Sequence, residues 1–118
     1  MRDHKKLRAF ELADQLAIAV YKATQLFPRD ELFGLTSQLR RATVSIASNV
    51  VEGCARFSET EYIRFLDIAY GSAREVEYQI GFAHRLGFLS PVLHKELIQL
   101  AAETSKVLNG LIRALRKA

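Results

Sequence analysis

Apolar residues recur every three to four positions through four stretches of the chain, and nowhere do they alternate with the period of two that marks a half-buried strand. In the first stretch Ala9, Leu12, Ala13, Leu16, Ala19, Val20, Ala23 and Phe27 share one side, and Arg8, Glu11, Gln15, Lys22 and Gln25 take the other. Phe27-Pro28 stops it, because a residue before proline is pushed out of the α region. Leu32-Phe33-Gly34-Leu35 reads as an apolar connection tucked against the fold. A second helix follows and ends near Gly53 or Cys54, where glycine can supply a left-handed cap. Ser58-Glu59-Thr60-Glu61 has the form of a capping box opening a third helix. Its stripe is Tyr62, Phe65, Leu66, Ala69, Ala73, Val76, Ile80 and Ala83. Gly87 closes it, and Ser90-Pro91 offers a cap with proline at the first helical position of a fourth helix. That helix carries the stripe Leu93, Leu97, Leu100, Ala101, Thr104, Leu108, Leu111 and Leu115. Short connections make consecutive helices antiparallel, so the pattern predicts one all-α domain, an antiparallel up-down-up-down four-helix bundle. The third and fourth helices look longer than the first two.

The two middle helices carry more than a core stripe. Leu35, Leu39, Ala42, Ile46, Val50 and Gly53 fall together at 100° per residue and face the bundle. Gln38, Arg41, Ser45, Ser48 and Glu52 form a polar stripe, with Asn49 between the two. Val44, Ala47 and Val51 lie on a third side, joined by Arg40. Ile63, Tyr70 and Phe82 likewise fall off the main stripe of the third helix. Scattered surface apolar residues are normal, but a second apolar side on two helices, with an arginine in it, points to a subunit interface made by Arg40, Val44, Ala47, Val51, Ile63 and Tyr70. Arg41 has two candidate partners, Glu75 on the neighbouring helix or Glu52 of another subunit. Gly71-Ser72-Ala73 is a patch of small side chains, and a glycine inside a helix makes sense where another backbone comes close, with Asn49 the candidate to fill the gap.

Composition narrows the class. With 118 residues, 49% hydrophobic and 25% charged, the chain is an ordinary globular domain. No run reaches the ~18 apolar residues of a membrane span and the charged N-terminus lacks an apolar signal core, which suggests a cytoplasmic protein. Cys54 is alone, so it forms neither an intrachain disulfide nor a thiolate cluster, and its ordinary reading is a small semi-buried side chain. The formal charge of +4 is unevenly spread. Arg2, Lys5, Lys6 and Arg8 crowd the N-terminus, and Lys106, Arg113, Arg116 and Lys117 the C-terminus. Terminal basic clusters attract phosphate backbones or an acidic protein. They also serve as a solubilising fringe and suit the negative end of a helix dipole.

Taken in order, several segments resemble the bacterial four-helix-bundle proteins encoded within intervening sequences of 23S ribosomal RNA genes. They are Leu7 to Leu16 with Tyr21, Phe27-Pro28 with Glu31, Gly34-Leu35-Thr36-Ser37-Gln38, Arg40-Arg41-Ala42, Val44-Ser45-Ile46-Ala47, Asn49 with Glu52-Gly53, and Phe65-Leu66, Ala69 and Gly71-Ser72 with Glu75. The resemblance covers nearly the whole chain. It implies a bundle that assembles as a homopentameric ring. It also implies kinship with accessory proteins of diversity-generating retroelements, basic pentamers that associate with a reverse transcriptase and bind nucleic acid. The terminal basic clusters, Arg8 apart, lie outside the shared segments.

Enzyme chemistry finds no foothold in the pattern. Di-iron bundles need Glu-x-x-His pairs, but Gly81 and Pro91 hold the positions before His84 and His94. Helical HEPN-type ribonucleases place an arginine ahead of a histidine with four to six residues between them; Glu77, Tyr78 and Gln79 hold those positions before His84, and Gly87, Phe88 and Leu89 before His94. No zinc spacing, phosphate loop or nucleophile elbow is present, so the expectation is a non-enzyme without metal or cofactor. Two functions remain. One is an oligomeric accessory protein that holds RNA or DNA backbones through Lys5, Lys6, Arg8, Arg113, Arg116 and Lys117. Few aromatics accompany those cations, which argues against base stacking. The other is a scaffold whose exposed apolar side engages a partner protein.

Overall fold

The structure is a computed structural model that describes residues 2–118. Four helices account for it: α1 (Arg8–Thr24), α2 (Leu35–Cys54), α3 (Glu59–Arg85) and α4 (Pro91–Lys117). Single 3-10 turns at His4–Lys6 and Arg29–Glu31 precede α1 and α2, and no strand occurs among the described residues. Each helix packs on its sequence neighbours, and α4 closes back on α1. This is the antiparallel bundle that the periodicity predicts. At a rise of 1.5 Å per residue the 27-residue α3 and α4 span about 40 Å, which accounts for the 44 Å long axis.

The ends are set by local chemistry. Ser58 Oγ accepts from Glu61 N at 3.0 Å, while the Glu61 carboxylate turns to Arg64 at 3.1 Å, so half of the capping box forms. Ser90 Oγ accepts from Leu93 N at 3.2 Å, with Pro91 opening α4. Gly87 takes φ +81° after α3. Phe88 N then donates to Ala83 O at 2.9 Å and Gly87 N to His84 O at 3.0 Å, which satisfies carbonyls the helix end would orphan. At the start of α2 the Glu31 carboxylate satisfies an otherwise orphaned amide, accepting from Leu35 N at 3.0 Å.

The predicted stripes supply most of the core: Leu16, Leu39, Ile46, Leu66, Ile80 and Leu108 are fully buried, whereas in α4 Ile112 is buried outside the predicted stripe and Leu93, Leu100, Leu111 and Leu115 are only half-buried. Thr43 joins them with no exposure. Its hydroxyl donates to Leu39 O at 2.7 Å, so burying it leaves no polar group unpaired.

Three local expectations are overturned. Leu32 and Phe33 are not tucked in; Phe33 is 94% exposed, because α2 starts at Leu35 and turns only that residue inward. Gly53 is not a left-handed cap. It is helical, and a Cβ there would sit 3.0 Å from Phe65 Cβ and 3.3 Å from Tyr62 O. Its missing side chain is what lets α2 and α3 approach. Gly71 is the reverse case: nothing of this chain comes within 4 Å of where its Cβ would be.

Candidate nucleic-acid interface

An up-down-up-down bundle returns its C-terminus to the end where the N-terminus lies, so the two basic clusters share one end of the molecule. Contacts confirm the placement. Arg2 N donates to Cys54 O at 3.2 Å at the close of α2, and the Arg2 guanidinium meets Glu59 at 2.8 Å at the start of α3. It also lies 3.9 Å from the centre of the Tyr62 ring. The N-terminal segment is thereby strapped across the α2–α3 junction. From the other cluster, Arg116 pairs with Asp67 on α3.

The six predicted contacts divide into two groups. Arg8 is bound to Glu103 at 2.7 Å and Arg116 to Asp67, so both are partly neutralised. Lys5, Lys6, Arg113 and Lys117 are exposed and make no ion pair among the described residues. Lys5 and Lys6 sit in the 3-10 turn, held by Asp3, whose Oδ1 accepts from Lys5 N at 3.0 Å. Sequence reasoning missed Arg56. It belongs to this end, in the α2–α3 loop, with its guanidinium 4.7 Å from the centre of the Phe65 ring and no carboxylate partner. Arg64 covers the same ring at 4.6 Å but is held by Glu61. Glu59, Glu61, Asp67 and Glu103 are thus occupied, Asp3, Glu11 and Glu52 are exposed without an ion pair among the described residues, and a set of free cations faces outward.

The polar residues of α2 and α3 meet in a second place. Ser45 Oγ and Ser72 Oγ are 3.0 Å apart, and Asn49 Nδ2 donates to Ser45 O at 2.8 Å and to Ser45 Oγ at 3.0 Å. Asn49 therefore braces Ser45 and does not fill a gap at Gly71. These hydroxyls lie in a groove of about 250 Å³ that Gln38, Arg41 and Glu75 also line. Arg41 and Glu75 share that groove without an ion pair, contrary to one of the pairings read from the sequence, and Glu52 is exposed. Glu75 instead accepts from Gln79 Nε2 at 3.3 Å, leaving the buried Gln79 Oε1 without a partner.

Among the predicted interface residues, Val44 is exposed, and Ala47, Val51, Ile63 and Tyr70 are half-buried, three of them packed on this chain's own core. Arg40 is engaged within the chain. Its Nε donates to Thr24 Oγ1 at 2.8 Å and its guanidinium lies 4.7 Å from the Tyr21 ring centre, locking α2 to α1. That register sets Ile18 opposite Val44, so an apolar seam of Ile18, Tyr21 and Val44 is open along the α1–α2 face.

Titratable groups point to structure more than chemistry. Burial pushes the Cys54 thiol above its ordinary value, against the pull of the Tyr62 hydroxyl, and burial pushes Tyr62 up to about 12. His84 and His94 stack with ring centres 3.9 Å apart. No group of three or more His, Cys, Asp or Glu that could hold a metal occurs among the described residues, and no helix is long and apolar enough to cross a membrane.

A helical bundle with a basic end defines a class of small all-α protein. The sequence model of the family described as 23S rRNA-intervening sequence protein matches residues 5–110, and the chain belongs to that family. The bundle superimposes with a TM-score of 0.81 on the crystal structure of a protein of unknown function from the S23 ribosomal protein family of Bacteroides thetaiotaomicron. That protein is 22% identical, over 89% of this chain and 95% of its own, a likeness that concerns the fold. A search among curated proteins finds no match.

Proposed function

We propose that this chain is a non-enzymatic accessory protein that self-associates and holds nucleic-acid backbones at the end of the bundle where its termini meet. The observation that carries the reading is the charge arrangement there. Glu59, Glu61, Asp67 and Glu103 are paired with arginines, while Lys5, Lys6, Arg113 and Lys117 extend free of carboxylates. Cations of this kind attract phosphate with little regard for sequence. Assembly into a ring of five, which the family resemblance implies, would multiply each chain's +4 and strengthen the field. A reverse transcriptase is the partner protein that the same resemblance suggests.

The test is binding of a structured RNA and a DNA duplex by fluorescence anisotropy across a salt series. The expected result is sequence-indifferent binding whose affinity falls steeply with salt. Reversing Lys5, Lys6, Arg113 and Lys117 to glutamate should abolish it, and reversing Arg8 and Arg116 should matter less because each already faces a carboxylate. Unchanged affinity in the fourfold variant sinks the proposal.

A second reading rests on the α1–α2 seam. Ile18, Tyr21 and Val44 are 53, 43 and 41% exposed, a surface suited to a partner protein or another subunit. In that case the ring is a scaffold and nucleic acid is not its ligand.

A further inference from the structure

Phe57 is 91% exposed in the short loop between α2 and α3. It takes no part in the core, in any cap or in the aromatic pairs of this chain. A phenyl ring held in water has a large apolar surface with nothing to cover it. Its neighbours are cationic. Arg56 precedes it with a guanidinium laid over Phe65 and no carboxylate partner, and Arg56 O accepts from Arg2 Nη1 at 3.3 Å, which ties the loop to the basic N-terminal segment. The Arg64 guanidinium also lies 4.6 Å from the centre of the Phe65 ring, and its charge is shared with Glu61. The equally exposed Phe33 is a useful contrast. It sits at the opposite end, after Asp30 and Glu31, in a groove of about 380 Å³ with Leu32 and Tyr21.

We propose that Phe57 is a stacking platform for an unpaired base, with Arg56 as the adjacent phosphate contact, so that the basic end takes single-stranded nucleic acid in preference to duplex. Adjacent residues are 3.8 Å apart at Cα, which lets one side chain meet a base while the next reaches a neighbouring phosphate. The ring supplies what lysines alone do not, a contact that only an unstacked base can make. Every base has such a face, so the preference is for strandedness and not for sequence. The cation–π contact of Arg56 and the Arg2 strap anchor the loop backbone that carries Phe57, while the ring itself stays open to a ligand. This rests on the preceding assignment of the basic end and departs from the expectation that stacking plays no part.

The experiment compares an oligouridylate with an A-form duplex of the same length, at about 100 mM salt where backbone contacts are measurable. Wild-type protein should favour the single strand. Phe57→Ala should weaken single-strand binding roughly tenfold, leave duplex binding unchanged, and be rescued by Phe57→Trp. Arg56→Glu should weaken both. The ring is exposed, so Phe57→Ala should keep the helical circular dichroism and melting temperature of the wild type. Equal single-strand affinity for Phe57→Ala and wild type overturns the platform while leaving the charge-based function standing. Failure of wild-type protein to bind either ligand overturns both. A Phe57→Ala variant that instead loses assembly size in light scattering assigns the ring to a subunit contact and overturns the platform.

Discussion

Gly53 and Gly71 lie on facing helices and both interrupt helical propensity, yet their surroundings demand opposite outcomes. At Gly53 an added methyl would gain about 1 kcal/mol of propensity but collide with Phe65 Cβ at 3.0 Å and the Tyr62 carbonyl at 3.3 Å, an overpacking cost of about 1–3 kcal/mol. The neighbours are main chain and a Cβ, which cannot swing away, so Gly53→Ala should lower the urea midpoint. At Gly71 no atom of the chain is near. Gly71→Ala should raise the stability of the single chain by about 1 kcal/mol. If another subunit packs there, the same change should instead weaken assembly. Urea melts at dilute and at high protein concentration separate the two cases.

The α3–α4 turn is the element with a pH dependence built into it. His84 from α3 and His94 from α4 stack at 3.9 Å, and Ser90, Pro91 and Gly87 fix the turn that brings them together. Burial, and then the charge of His84, hold the His94 imidazole below its usual 6.5. A histidine whose folded pKa is depressed takes up protons more readily when unfolded. The stabilisation is therefore complete above about pH 6.5 and is lost as pH falls through the depressed value. Thermal melts should show a plateau above neutrality and a decline below it. His94→Gln should flatten that decline, and a decline unaltered by the substitution would assign it to other groups. The contrast between α2 and α4 is also an element-scale lesson. In α4 the stripe was legible at Leu97, Ala101, Thr104 and Leu108, but Ile112 and Ser105 are buried outside it and Leu93, Leu100, Leu111 and Leu115 are only half-buried; in α2 the buried Thr43 and the α1-bound Arg40 look like surface residues until the neighbouring helix is in place.

At the scale of the whole molecule, the α1–α2 seam and the basic end are separate surfaces and make separable predictions. Val44→Glu puts a charge in the middle of the seam, opposite Ile18, where it faces water in a monomer. It should leave the single chain folded and should reduce the assembly seen by light scattering coupled to size exclusion. An assembly of unchanged size would move the interface elsewhere, with the α2–α3 groove around Arg41, Ser72 and Glu75 the next face to probe. Nucleic-acid affinity should fall in the same variant to the extent that the field of several chains is needed, since long-range attraction sums over all of them.

The sequence by itself determined the number of helices, their core stripes, the caps at Ser58 and Ser90 and the antiparallel order. These follow from spacing and from side chains acting on their own backbone within one turn. The tertiary structure alone decided what each off-stripe residue does. Arg40 finds its partners on α1, sixteen and nineteen residues away. Gly53 owes its identity to Phe65 and Tyr62 on α3, and Asn49 turns to Ser45 because Ser72 holds the other side of that hydroxyl. The two basic ends of the chain became one basic end of a molecule, beside a phenylalanine that no periodicity singled out. Such contacts link residues distant in sequence, and no local pattern encodes which pairs the packing of four helices brings together.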